Sequence, residues 1–150
     1  MQTSFILLRV SSEFSISRGL LRINEIIENA QKLNMPAVAL SDLNNMFGMV
    51  KFFKKAEAAG IKPIAGTILN LRSCSGELGE ILCLAKNNDG LKSLMSIISQ
   101  AQLQQENGYI SITFEDLSSC VGNIMVISGG SASTLFNLAK LKKNQDLKTE

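Results

Sequence analysis

The sequence predicts one α/β domain of barrel type, in which mostly parallel strands alternate with helices. The clearest observation is residues 36–66, where an apolar run, a helical pattern and a second apolar run follow one another. Similar runs and patterns come before and after this unit. The chain has 150 residues, 45% of them hydrophobic, and only two prolines, which is enough for one folded domain with a core.

Residues 36–66 predict a strand, a helix and a second strand. Residues 37–40 are an apolar run typical of a buried strand, and residues 61–71 predict the next one. The helix between them has an apolar face that we expect in the core (Met49, Phe52, Phe53, Ala56, Ala59) and a face that we expect in solvent (Lys51, Lys54, Lys55, Glu57). This βαβ unit predicts parallel strands with a right-handed crossover. The loop after its first strand is where α/β proteins place their chemistry.

The other elements are predicted in chain order from the same patterns. Residues 4–10 predict a first strand, and residues 23–33 predict an amphipathic helix. Residues 72–79 are typical of a hairpin turn, and residues 80–85 predict another strand. The helix after the turn at 87–90 has the predicted buried stripe Leu91, Leu94, Met95, Ile98 and Ala101.

The last third of the chain gives weaker patterns. Residues 110–114 alternate as in a short half-buried strand or an extended connector, and one helical turn is predicted at 114–117. Residues 123–128 predict a strand, after which Gly129–Gly130 turn the chain into a helix at about 132–141. The charged tail, about 142–150, is expected to fray. No linker divides the chain, so we expect residues 1–150 to belong to one domain.

Composition excludes several classes of function. The net charge of +2 is too small to indicate binding to nucleic acid or to a membrane surface, and no segment reads as a secretion signal or a membrane span. The three cysteines, Cys74, Cys83 and Cys120, lack paired metal-ligand spacing and fit reduced thiols of a cytoplasmic protein. The chain has no histidine, which excludes histidine-based triads and most zinc sites.

Polar, charged and glycine residues cluster in the predicted loops at the strand ends. They are Arg9, Ser11, Glu13, Arg18, Asp42, Asn44, Glu77, Glu80 and the pair Gly129–Gly130. A lone carboxylate such as Asp42 is more often a loop or cap residue than a catalyst, and a Gly-Gly pair more often serves a turn than an anion site. The residues alone therefore assemble no active site.

Four segments between Phe5 and Gly130, taken in order, resemble a known family. They are FILLRVSSEFSISRGL, AVALSDLNNMFGMVKFFKKAEAAGIKPIAG, EILCLAKNNDGLKSLMSI and VISGG. They are similar to the PHP (polymerase and histidinol phosphatase) domain at the start of bacterial DNA polymerase III alpha subunits. The resemblance implies a distorted (β/α)7 barrel, of which this chain would be the amino-terminal part.

Metal-binding members of that family hold divalent ions for phosphoester hydrolysis with histidines, carboxylates and a cysteine at the strand ends. The resemblance places Arg9 and Ser11 at the two histidines of a His-x-His motif. It places Arg18 at an aspartate of the same motif. A later Asp-His pair survives only as Asp42 followed by Leu43.

Three further ligand positions have changed as well. The resemblance places Ile68 at a glutamate, Glu80 at a histidine and Gly130 at a cysteine. An arginine has no lone pair to donate and would repel a divalent ion about 4 Å away by roughly 8 kcal/mol at a dielectric constant of about 20. We therefore predict no metal site, no cofactor and no catalytic residue. Asp42 and Glu80 would pair with Arg9 or Arg18 across the old cleft, or all four would be solvated at its rim.

The resemblance favours a non-catalytic domain that supports a DNA polymerase and docks its proofreading exonuclease subunit. The partners would be the remainder of the alpha subunit and that exonuclease. DNA would be bound only through the parent protein, and Mg²⁺ would serve only in its palm domain, outside these residues. Two alternatives stay open: a metal-dependent phosphoesterase or exonuclease, and a phosphate-binding module. A barrel cut partway would expose strand edges, so we also expect self-association or marginal stability.

Overall fold

The predicted βαβ unit is present in the computed structural model, which describes residues 5–16, 18–73, 76, 78–105, 108–120, 122–133, 136 and 140. The elements in chain order are α1 (Ile23–Lys32), β1 (Ala37–Leu43), α2 (Met49–Ala58), β2 (Lys62–Arg72), β3 (Leu78–Ala85), α3 (Asn88–Leu103), α4 (Phe114–Ser118), β4 (Ile124–Ser128) and a 3-10 turn at Gly130–Ala132. Strands β1 and β2 pair in parallel. Phe52 and Ala56 of α2 are fully buried and its lysines are exposed, so the predicted faces of this helix are confirmed.

The four strands form one mixed sheet in the order β1-β2-β3-β4. Only β1 and β2 run parallel, whereas β3 is antiparallel to both β2 and β4, so the prediction of mostly parallel strands is wrong. Strand β3 begins six residues after β2 ends, which is too short a distance for the crossover that parallel strands need. The structure thus has an α/β fold with a mixed sheet, and the described residues do not form a complete (β/α)7 barrel.

The connection between β3 and β4 crosses the sheet twice, which makes these strands antiparallel. Helix α3 carries the chain to the far end of β2, where Ile112 forms a bridge with Leu71. Helix α4 follows, and the chain then returns to the end of β3, where the Lys86 amide donates to the Asn123 carbonyl at 3.0 Å. A single crossover would have given parallel strands.

Residues 5–10 run beside β1 as an extended segment. They form one bridge, between Leu7 and Val38, and the Ser41 amide donates to the Val10 carbonyl at 2.8 Å. The Val10 amide donates to the Ser41 hydroxyl at 2.9 Å, so a side chain takes a donor that a strand ladder would use. The strand predicted at residues 4–10 is therefore not formed in residues 5–10, and Ser4 lies outside the described residues.

The later helices partly follow the prediction. The side chain of Asn87 caps α3 by accepting from the Gly90 amide at 2.8 Å. Met95 of α3 is 55% exposed and Ile97 is buried in its place, so the predicted stripe is wrong at that position. Most of the helix predicted at 132–141, and the tail at 142–150, lie outside the described residues. No helix within the described ranges is long and apolar enough to span a membrane.

Hydrophobic side chains pack on both faces of the sheet. Helices α1, α2 and α3 cover one face, the outer face, with two apolar clusters. The opposite or inner face carries a smaller cluster formed by Ala39, Ile68, Leu82 and Leu84 against Leu8, Leu43, Ile64 and Ile127. Successive residues of a strand alternate between faces and paired residues share a face, so the register assigns each strand-end residue to one of them.

Candidate functional site

The strand-end residues singled out in the sequence meet at one edge of the sheet. Strands β1 and β2 end at this edge, β3 begins there and β4 ends there, because β3 is antiparallel to both neighbours. In register, Leu43 pairs with Ile68, and Asn70 pairs with Glu80. Gly129 lies next to Glu80, since its amide donates to the Glu80 carbonyl at 3.1 Å.

Glu80 is the centre of a charged cluster on the inner face. Its Oε2 accepts from Nη2 of Arg9 at 2.7 Å, and its Oε1 accepts from Nη1 of Arg18. Nη1 of Arg9 also donates to the carbonyl of Gly129 at 3.1 Å. The side chains of Arg9 and Arg18 are 43% and 46% exposed and that of Glu80 is 8% exposed, so the carboxylate lies beneath two cations. The predicted pairing across the cleft is confirmed for Glu80.

Asp42 has a different environment, on the outer face. It is 1% exposed and pairs in register with Thr67. Its Oδ1 accepts from the Ser12 amide and from the Ser15 hydroxyl, both at 2.7 Å, and its Oδ2 accepts from the Ser12 hydroxyl at 2.8 Å. The predicted pairing with an arginine is therefore wrong for Asp42, because strand alternation directs its side chain away from Glu80. These hydrogen bonds hold the loop before α1 against the end of β1. Asp42 thus has the structural role that a loop carboxylate usually has.

The remaining ligand positions carry no group that replaces a metal ligand. The Ser11 hydroxyl donates to the Ser41 carbonyl at 3.2 Å. Leu43 and Ile68 pack in the inner-face cluster. Gly130 has a φ of 65°, a left-handed backbone that favours glycine.

The side chains at this edge do not offer the set of free lone pairs that a divalent metal ion needs. Such ions take roughly 4–8 ligand atoms with free lone pairs. Within the described ranges, no group of three His, Cys, Asp or Glu side chains is arranged to hold one. Asp42 accepts three hydrogen bonds, Glu80 contacts two guanidinium groups, and the two carboxylates lie on opposite faces.

Sequence reasoning did not identify Ser12 and Ser15 as partners of Asp42. The run of serines after Val10 was the available signal, but no pattern states which carboxylate they face. Of the other candidates, Glu13 makes surface ion pairs with Lys51 and Arg22, and Glu77 lies outside the described residues.

The two described cysteines, Cys83 and Cys120, are buried and free. Burial, and to a smaller extent the neighbouring Cys120, raises the pKa of the Cys83 thiol to about 12. The thiolate is the nucleophilic form, so Cys83 is inert near neutral pH. Cys74 lies outside the described residues.

An open cavity of about 480 Å³ lies at the opposite edge of the sheet, where β1 and β2 begin. Its lining is mostly apolar and includes Lys62, Lys86, Asn87 and Asn88. Among the described residues its lining has no carboxylate, so it lacks the oxygen ligands that hard divalent ions prefer.

Comparison with known sequences identifies the family. The model of the PHP domain matches residues 8–150. DNA polymerase III subunit alpha of Vibrio cholerae is 37% identical over 146 residues, which cover 94% of this chain and 12% of that protein. The same subunit of Buchnera aphidicola is 33% identical over 138 residues (89% and 12%), and that of Rickettsia bellii is 38% identical over 118 residues (78% and 10%). The chain thus spans about a tenth of the length of these relatives.

Solved structures share the fold. An amidohydrolase of Chromobacterium violaceum, with bound sulfate and no metal, has a TM-score of 0.53 and 21% identity over 65% of this chain and 33% of that chain. A protein of Bifidobacterium adolescentis described as a metal-dependent phosphoesterase has a TM-score of 0.52 and 17% identity over 88% of this chain and 46% of that chain. These identities show a common fold alone. With the sequence match over residues 8–150, they lead to one conclusion: this chain belongs to the PHP domain family.

Proposed function

We propose that this chain is the non-catalytic amino-terminal part of a PHP domain in a bacterial DNA polymerase III alpha subunit, where it supports the polymerase fold. The observation that carries this proposal is the cluster of Arg9, Arg18 and Glu80, which occupies positions where the family resemblance implies metal ligands. The relatives at 33–38% identity support the assignment to the polymerase.

The cluster connects elements that are distant in sequence. Arg9 joins the segment beside β1 to the start of β3 and to the end of β4, through Glu80 and Gly129. Arg18 joins the loop before α1 to the same carboxylate. The two guanidinium groups therefore hold these segments together at the edge, as a bound metal ion would. Unlike a metal ion, a guanidinium group is not a Lewis acid and does not activate a water molecule.

The proposed partners are the remainder of the alpha subunit and the proofreading exonuclease subunit, for which this domain is a docking platform in the cytoplasm. DNA is bound through the parent protein, and Mg²⁺ acts in the parent's palm domain. A metal-dependent phosphoesterase is the alternative, and it needs a metal at an edge whose carboxylates are already engaged.

An activity assay separates these two functions. The purified chain is incubated with Mn²⁺, Zn²⁺ or Mg²⁺ and with single-stranded DNA or p-nitrophenyl phosphate. We expect no metal-dependent hydrolysis. Hydrolysis that requires metal and is lost in a folded Asp42→Ala variant would overturn the proposal.

Docking is tested separately. The chain and the purified exonuclease subunit of the same organism are mixed and analysed by sedimentation velocity, and we expect a complex. If the folded chain forms no complex, the docking role is wrong, while the structural role in the polymerase stands.

A further inference from the structure

The cavity at the edge where β1 and β2 begin has the size and the lining of a site for an apolar ligand. Its volume is about 480 Å³, and small-ligand sites typically have about 300–1,000 Å³. Six elements each contribute a large apolar side chain to its lining, which includes Ile6, Phe53, Ile64, Leu84, Leu91 and Met125. Ile6 and Met125 are 42% and 47% exposed, so a ligand in the cavity would cover apolar surface that water now contacts.

Two lysines give this apolar cavity a positive charge. Lys62 and Lys86 are the only charged residues among the described lining, and both are exposed. Within the described ranges, the Lys62 ammonium group has no ion-pair or hydrogen-bond partner. Nζ of Lys86 donates one hydrogen bond, to the Gly122 carbonyl at 3.3 Å, and an ammonium group has three donors. Asp89, at the start of α3, is outside the lining and pairs with Lys92 at 3.6 Å.

This combination selects a ligand with an apolar body and an anionic head. The apolar body is stabilised by leaving water, and the head stays at the solvent side of the cavity, beside two cations that no described carboxylate neutralises. The volume suits one alkyl chain. A peptide helix is about 10 Å in diameter with a pitch of about 5.4 Å, so little more than one turn would fill the cavity.

We propose that this cavity binds a carboxylate with an unbranched alkyl chain, such as a fatty acid. The chain lies along the apolar lining, and the carboxylate lies beside Lys62 and Lys86. The site is at the opposite edge of the sheet from the cluster of Arg9, Arg18 and Glu80. The proposal therefore goes beyond the structural role above and does not depend on it.

Calorimetric titration with octanoate, decanoate and dodecanoate, each below its critical micelle concentration, tests the site. We expect each pair of added methylenes to tighten binding by up to roughly tenfold, because buried methylenes favour binding. Decan-1-ol and decyltrimethylammonium are the uncharged and cationic controls of equal chain length. Decanoate should bind more tightly than both. Decanoate binding no tighter than decan-1-ol binding would overturn the proposal.

Two double variants of equal charge test the role of the lysines. Lys62→Gln with Lys86→Gln should weaken decanoate binding roughly fivefold and leave decan-1-ol binding unchanged, because only the carboxylate loses an attraction. Lys51→Gln with Lys55→Gln removes the same charge from exposed positions of α2 outside the lining. It should leave decanoate binding nearly unchanged. An equal loss in both double variants would show that the two lysines do not bind the carboxylate.

Two methionines test the position of the alkyl chain. Met125 lines the cavity and Met95 of α3 does not, and they are 47% and 55% exposed, so both should tolerate substitution. Met125→Glu places a carboxylate in the apolar lining and should weaken decanoate binding at least about tenfold. Met95→Glu should leave it unchanged. Equal decanoate affinity of the two variants would overturn the site, while the non-catalytic function, which the hydrolysis assay tests, would stand.

Discussion

Asp42 and Glu80 lie on opposite faces of the same sheet, although both are at the edge where β1 and β2 end. Asp42 pairs in register with Thr67, on the outer face, whereas Glu80 pairs with Asn70, on the inner face. One ion cannot be held by both carboxylates. Each has its own donors, and the two can be tested independently.

Glu80→Gln should lower the free energy of unfolding by about 1–2 kcal/mol, because it removes the charge from two hydrogen bonds. The expected loss is small because both arginine side chains are more than two-fifths exposed, and solvent screens part of their attraction to Glu80. Urea denaturation measures the change. Asp89→Asn, in an exposed pair with Lys92, is the control and should change stability by less than about 0.5 kcal/mol. Equal effects would contradict the assignment of Glu80 as a structural centre.

Asp42→Ala should cost more, roughly 3 kcal/mol, because the Ser12 amide and two hydroxyls lose a buried, charged acceptor. Chemical denaturation gives the value, and amide hydrogen exchange at Ser12 should accelerate. Glu57→Ala, on the exposed face of α2, is the matched carboxylate control. If both variants lose the same stability, the hydrogen bonds to Asp42 contribute nothing measurable.

The stability of the fold should fall above about pH 9 through Cys83. Its thiol pKa is raised from 9.0 to about 12 by burial, and secondarily by Cys120. Below pH 9 both folded and unfolded states keep the proton. Between pH 9 and 12 only the unfolded state releases it, so stability decreases by about 1.4 kcal/mol per pH unit from this group.

Cys83→Ala is the control for that pH dependence, because it removes the thiol and leaves every other titratable group in place. Urea denaturation at pH 8, 9.5 and 10.5 should show a shallower decline in the variant. The same slope in both proteins would show that Cys83 does not cause it.

Gly129→Ala should destabilise the fold by roughly 3 kcal/mol, because a Cβ at this position would overlap the backbone of Glu80. Gly130→Ala has open space around its Cβ but a φ of 65°, so it should cost only about 1 kcal/mol. Thermal denaturation of both variants gives the comparison. If Gly130→Ala destabilised the fold more than Gly129→Ala, the end of β4 would be able to move away from Glu80 and make room for the added Cβ.

We predict that the chain self-associates through its exposed strand β4. It is at the end of the described sheet, and Met125 and Val126 are 47% and 49% exposed on its two faces. Val126→Lys should reduce association, because charged side chains block edge-to-edge pairing. Sedimentation equilibrium over a range of concentrations provides the test, and a wild-type chain that remains monomeric throughout contradicts it.

The sequence predicted elements well where the pattern is local. The strands and helix of residues 36–66 were predictable from apolar runs and from helical spacing around Phe52. The direction of β4 was not, because it depends on how many times the chain crosses the sheet after Ala85.

The candidate site shows the same limit. The charges of Arg9, Arg18 and Glu80 predicted that they would attract one another, and they do. The sequence could not place Asp42 on the other face, because that depends on strand register. A shift of one residue moves a side chain to the opposite face.

The order of the strands in the sheet is the same as their order in the chain. Each strand therefore pairs with the strand that comes just before or just after it in the chain, although α3 and α4 separate β3 from β4. Strands β2 and β3 are separated by the shortest connection, so closing that loop costs the least chain entropy. We expect the sheet to assemble stepwise as the chain leaves the ribosome, with β1 and β2 paired before β4 is synthesised.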